Sequence, residues 1–281
     1  MVYKLVKCRD KLIELNRPFI MGIVNLSPES FHTNQHCLEK EQLLSRIEEI
    51  IHAGADIIDI GAVSTKPGLN KISLQEEKKR LIPMLKAVRR RFKNILISVD
   101  STNDEILCEA IDLGIDIVND VSGGQLKEET FKKIASNSIP YILTYNANGK
   151  MNNLIDQQNS SINEEALYFL SKKIHQIQNY GCKDIIIDLG FGFNKALEDN
   201  YLLFSRIQDF QIHNKPILIG ISRKSMLFKL LETVPEKSLN ATTTLHAVSL
   251  LKGASILRVH DVREANEVRK LLALIGQNEV N

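Results

Sequence analysis

No apolar run in the 281-residue sequence approaches the roughly 20 residues that a membrane-spanning helix needs, so no membrane partner is expected. The opening stretch, MVYKLVKCRDKLIEL, scatters charge through itself and lacks an apolar h-region, which predicts no signal peptide and a cytoplasmic location. An excess of one charge sign is missing as well: 36 Lys and Arg against 34 Asp and Glu leave a net charge of +2. The basic triplets Lys78-Lys79-Arg80 and Arg89-Arg90-Arg91 fall inside a helical pattern and are solvated faces, so no nucleic-acid partner is expected either. Cysteine is scarce. Cys8, Cys37, Cys108 and Cys182 form no CxxC pair, which fits free thiols in a reducing compartment. No low-complexity tract and no Pro/Gly/Ser-rich linker divides the chain, so residues 1–281 are expected to form a single domain behind a short N-terminal extension, 1–17.

Alternation of apolar runs with amphipathic stretches fills the rest. Strands are predicted at 19–25, 56–61, 95–100, 116–119, 141–145, 184–188, 216–220 and 255–258. Helices are predicted at 39–52, 74–91, 103–113, 127–135, 164–179, 200–210, 224–231, 241–252 and 262–275. The strand runs are continuously apolar rather than alternating, so both of their faces are covered, as in a parallel sheet. Repeated βα units predict the α/β class and a (β/α)8 TIM barrel. An open doubly wound sheet would call for a glycine fingerprint after the first strand, and NLSPES is not one.

Polar residues close nearly every strand: Asn25, Asp59, Asp100, Asn119, Tyr145, Asp188, Ser222 just past a strand, then Arg258 and His260. Barrel active sites form at that face. Asp100, Asn119 and Asp188 come from separate strands. Two carboxylates and an amide complement the edge of a flat heterocycle bearing ring N–H and exocyclic amino donors. Each acid alone could equally be a strand-end or helix cap, as Ser101-Thr102 after Asp100 suggests. In DLGFGF an acid precedes two glycines interleaved with Phe191 and Phe193, a flexible aromatic wall beside a strand tip. GISRKS places Ser222, Arg223, Lys224 and Ser225 where a strand turns into a helix, and RVHD adds Arg258 and His260; the loops after strands seven and eight are a frequent anion site in barrels. Asn25 offers a hard oxygen suited to Mg²⁺ bridging a diphosphate. The two long connections, 26–38 and 62–73, read as binding loops. Such a site suits a transfer in which diphosphate leaves while the protein positions charge.

In chain order, MGIVNLSPESF, DIIDIGAVSTKPG, SVDST, IVNDVSGG, DLGFGFNK, GISRKS and RVHDV resemble the signature blocks of the dihydropteroate synthase family, from about residue 19 to the last helix. The resemblance implies a TIM barrel, a homodimer, Mg²⁺, a sulfonamide target, and condensation of 6-hydroxymethyl-7,8-dihydropterin diphosphate with 4-aminobenzoate in folate biosynthesis. It implies that Asp100, Asn119, Asp188 and Lys224 hold the pterin, and that Asn25, Thr65, Arg258 and His260 bind diphosphate, with the metal at Asn25. Phe193, Ser225, Pro67 and Lys66 would border 4-aminobenzoate, and Lys224, Arg258, His260 and Asp100 would carry catalysis through a dissociative step. The chain departs from the family pattern at Leu189 in place of proline, at Thr144-Tyr145 in place of Met-His, in the first loop (PESFHTNQ), and at Lys66 in place of arginine. Two other readings stay open: a diverged paralogue binding pterin or folate with little or no synthase activity, and a pterin-binding methyltransferase domain.

Overall fold

A computed structural model describes residues 4–26, 36–62, 72–146 and 161–278, without the side chains of 36–39 and 276–278. Two short strands come first, β1 (Lys4–Cys8) and β2 (Lys11–Leu15), paired antiparallel around a turn in which Arg9 has φ +54°. Eight further strands then alternate with helices: β3 (Phe19–Asn25), α1 (His36–His52), β4 (Ile57–Gly61), α2 (Leu74–Arg91), β5 (Leu96–Asp100), α3 (Asp104–Asp112), β6 (Ile117–Asp120), α4 (Glu128–Ser136), β7 (Tyr141–Thr144), α5 (Ile162–Asn179), β8 (Ile185–Asp188), α6 (Leu197–Ser205), β9 (Ile217–Ile219), α7 (Ser225–Phe228), α8 (Leu239–Leu251), β10 (Ile256–Val259) and α9 (Val262–Asn278). All pairings from β3 to β10 are parallel, and β10 returns to β3 with Ile256 opposite Phe19, closing the barrel. The (β/α)8 expectation holds.

Side-chain alternation along each strand explains the layering. Inward residues at the strands' N-terminal ends (Met21, Ile57, Ile117, Ile142, Ile186, Leu218 and Ile256) form one apolar plug. Outward residues such as Ile20, Ile58, Val99, Val118 and Ile187 pack against the helices in a second, larger core. Helix starts follow local capping chemistry: Ser161 and Glu164 form a reciprocal capping box on α5, and Asn103 caps α3 through Glu105 N.

Three details differ from expectation. The N-terminal extension is a hairpin that closes the barrel's lower end: Val6, Ile13 and Leu15 face Phe19, Ile57, Leu96, Ile117, Ile186 and Ile256 across a small apolar cavity. It is fastened by Arg9, which donates to Ile111 O and Ile115 O at 2.9 and 2.7 Å. The helix predicted at 200–210 instead starts at Leu197 and gives way after Ser205 to a 3-10 segment, Ile207–His213, because Arg206 leaves helical dihedrals (φ −106°, ψ 17°). The helix predicted at 224–231 shortens to α7, four residues long.

Candidate active site

Asp59, Asn119 and Arg258 stand on β4, β6 and β10, alternate strands of the kind that fill barrel interiors in layers. Arg258 Nε donates to Asp59 Oδ2 at 2.7 Å, and Asn119 Nδ2 donates to the same oxygen at 3.1 Å. The other arm of Arg258 reaches up to Asp100 Oδ2, also at 2.7 Å. One guanidinium therefore bridges two buried carboxylates. Burial alone would lower the Arg258 pKa, but Asp59 and then Asp100 outweigh it and hold the arginine firmly charged. Burial pushes the Asp100 carboxyl up to about 7, against the pull of Arg258 and with help from Asp59, Asp120 and Glu77. The sequence reading placed Asp59 at a strand end without giving it a role. Its signal was an acid inside the apolar run IIDIG, fully buried in the fold.

Asp188 enters from β8, 5% exposed, with Oδ1 capped by Gly190 N at 2.9 Å. The turn after it needs glycine: Gly190 has φ +62°, and a Cβ there would lie 2.0 Å from Tyr145 O. Lys224, at the start of α7, donates to Phe191 O at 2.5 Å and sits 4.6 Å over the Phe193 ring. Burial lowers its ammonium pKa to about 8, while Asp188 pulls it back up. The acids, the amide and the cations thus gather at the C-terminal mouth of one barrel. Three oxygens in this interior, Asp59 Oδ1, Ser98 Oγ and Thr144 Oγ1, are buried with no hydrogen-bond partner among the described residues. Buried polar atoms are nearly always hydrogen-bonded, so these three are costly features of the site.

The remaining predicted residues fall into three groups. Phe193 and Ser225 lie at the mouth beside Lys224. Asn25 is exposed at the end of β3, and His260 is exposed past β10, its backbone N–H donating to Ser222 Oγ at 3.2 Å. Thr65, Lys66 and Pro67 lie outside the described residues, as do most of both long loops. One expectation needs correcting. Arg223 is not a spare cation of the anion cluster, because it is held bidentate by Asp261 at 2.9 and 2.5 Å, tying the loop after β9 to the loop after β10.

Two supporting residues went unread in the sequence. Asp120 follows Asn119 and accepts from Ser122 N, Ser122 Oγ, Tyr141 Oη and Gly124 N at 2.7, 2.7, 2.5 and 3.3 Å, which fixes the loop after β6. Lys195 binds three backbone carbonyls beside Asp188. Among the described residues no group of three or more His, Cys, Asp or Glu could enclose a metal. Asn25 offers a hard-oxygen donor, exposed at the end of β3. That donor set fits Mg²⁺ held jointly by one protein oxygen, substrate phosphates and water, the usual habit of that ion.

Fold and site together define a (β/α)8 barrel with buried acids, an amide and cations gathered at its C-terminal mouth. The profile of the family described as "Pterin binding enzyme" matches residues 21–260. Dihydropteroate synthase of Haemophilus influenzae is 33% identical over 266 residues, covering 93% of this chain and 95% of its own. The solved 7,8-dihydropteroate synthase of Vibrio fischeri superposes with a TM-score of 0.84 at 33% identity, covering 98% and 99%. That of Xanthomonas albilineans, solved with 4-aminobenzoic acid, gives 0.86 at 27% identity, with the same coverage. The chain belongs to the dihydropteroate synthase family of pterin-binding enzymes.

Proposed function

We propose that this chain is a working dihydropteroate synthase, joining 6-hydroxymethyl-7,8-dihydropterin diphosphate to 4-aminobenzoate with release of diphosphate. The observation that carries the reading is the meeting of Asp59, Asp100, Asn119, Asp188, Lys224 and Arg258, from six different strands or strand ends, at one mouth. A pterin-binding protein without turnover would have little use for the cations retained there.

In this reading Asp188 and Asn119 take the donor edge of the pterin, and Asp100, steadied by Arg258, lies against its other ring. The C–O bond between the pterin methylene and diphosphate breaks, with the electron pair leaving on diphosphate. The 4-aminobenzoate nitrogen then forms the C–N bond and sheds a proton. Lys224, Arg258, His260 and Thr65 offset the leaving charge, which a preorganised site does at little reorganisation cost. Phe193, Ser225, Lys66 and Pro67 border the arylamine. Asn25 would hold Mg²⁺, which supplies charge neutralisation to the diphosphate when bound. A cytoplasmic homodimer completes the proposal. No helix among the described residues is long and apolar enough to cross a membrane, and exposed Leu251 on α8 with Leu271 and Leu274 on α9 offers apolar surface to a second copy. The test is incubation of the purified protein with both substrates and Mg²⁺. Diphosphate and dihydropteroate should appear in equal amounts; ring binding without either product would overturn the reading.

A further inference from the structure

The Lys195 ammonium is unusually well occupied. Its Nζ donates to Gly190 O at 2.6 Å and to Tyr145 O and Phe193 O at 3.3 Å each, and it sits 4.6 Å over the Tyr145 ring. All three donors of the ammonium are used, and every acceptor is a main-chain carbonyl. Two of those carbonyls belong to the turn after β8, and the third belongs to Tyr145, the residue just after β7. Here the two backbones lie so close that a Cβ on Gly190 would stand 2.0 Å from Tyr145 O. Such an approach brings carbonyl dipoles together. A cation shared among them offsets that cost, and a neutral side chain of the same length could not.

The same turn does two jobs at the mouth: its Gly190 N–H caps Asp188, and its Phe193 ring lies under Lys224. Asn200 secures the far side, accepting from Gly192 N at 2.7 Å and donating to Lys195 O and Ala196 O at 3.2 and 2.6 Å. Between β8 and α6 the chain is therefore knitted at both ends, with Lys195 tying it to the residue after β7. Burial lowers the Lys195 pKa to about 7, with Asp188 pulling it up and Lys224 pushing it down, so the three carbonyl contacts, and not a strong excess of charge, carry its hold on the turn.

We propose that Lys195 is a positioning residue. By binding the carbonyls of residues 145, 190 and 193 it locks the turn after β8 against the end of β7, and so holds the Phe193 wall of the arylamine pocket in place. The assignment to an arylamine rests on the synthase reading above; the locking of the turn does not.

Two measurements separate these parts. In hydrogen exchange on the full chain, Lys195→Met should raise exchange of the amides of residues 189–195 by about tenfold or more while the strands stay protected. Unchanged exchange in that turn would overturn the proposal, whatever the enzyme catalyses. In steady-state assays the same variant should raise the KM for 4-aminobenzoate by about tenfold, with the pterin diphosphate KM and kcat each within about threefold of the unmodified protein. Lys195→Arg, which keeps a cation but presents a planar fork, should fall between the two and also covers the case in which Lys195→Met fails to fold. Equal losses in both substrates' KM, scaling with a lowered melting temperature, would mean a merely structural lysine and would defeat the proposal. A loosened turn in a protein that makes no dihydropteroate would leave the lock standing and remove the synthase reading instead.

Discussion

At the N-terminal ends of the eight barrel strands, Met21, Ile57, Ile117, Ile142, Ile186, Leu218 and Ile256 meet Val6, Ile13 and Leu15 of the hairpin. At the C-terminal ends the same strands present Asp59, Asp100, Asn119, Asp188 and Arg258, with Lys224 beside them. The lower end is dry and covered. The upper end buries charge beside charge, holds three oxygens without hydrogen-bond partners among the described residues, and pushes the Asp100 pKa up to about 7 by burial. Two residues below Asp59, Asn119, Asp188 and Arg258 the side chains are Ile57, Ile117, Ile186 and Ile256, so these polar groups stand directly on the apolar plug; below Asp100 the residue is Ser98.

The contrast can be broken most severely at Arg258. Replacing it with Met leaves Asp59 and Asp100 buried without their cation, so unfolding free energy should fall by about 3–5 kcal/mol and turnover should be lost. The pH dependence has a definite sign. Burial already raises the Asp100 pKa to about 7 and Arg258 opposes it, so without Arg258 that carboxyl binds its proton still more tightly folded than unfolded, and the deficit measured by urea unfolding should shrink as pH is lowered from about 8 toward 5. A deficit that grows on acidification would show that Arg258 does not neutralise these acids.

The lower end should respond in the opposite way. Ile186→Ala removes buried methyl groups from the apolar plug and should cost about 2–5 kcal/mol of stability. The KM values and kcat per folded molecule should stay as they were. A changed KM with unchanged stability would mean that the two ends are not separable.

Much of this division was legible in the sequence, for a physical reason. Strands covered on both faces must be apolar throughout, so an acid or amide at the end of such a run stands out. The predicted and observed strands agree within a residue or two, as with 95–100 against Leu96–Asp100. Convergence of the Asp100, Asn119 and Asp188 strand ends followed from barrel topology alone. Partnerships were not legible, because they depend on which residues share a height in the barrel. Asp59 was visible as a polar residue, yet its pairing with Arg258 joins positions far apart in the chain. Arg223 looked like an anion ligand in GISRKS until its pairing with Asp261 was seen. The hairpin had a readable signal in the mirrored KLVKC and KLIEL runs, but its two strands are too short to stand apart from an ordinary N-terminal tail. Lys195 closes the block DLGFGFNK, but its role was not legible there, since its acceptors are main-chain carbonyls supplied by the fold.

The central claim, that acids and an amide from separate strands read one ring, is tested most directly by calorimetric titration of a dihydropterin into the unmodified protein and Asp188→Asn. The substitution keeps size and burial but takes away the charge from one of the proposed ring contacts. Affinity should drop by about 1–3 kcal/mol, the cost of a lost charge-assisted hydrogen bond, with the melting temperature little changed. Equal affinities in the two proteins would contradict the account.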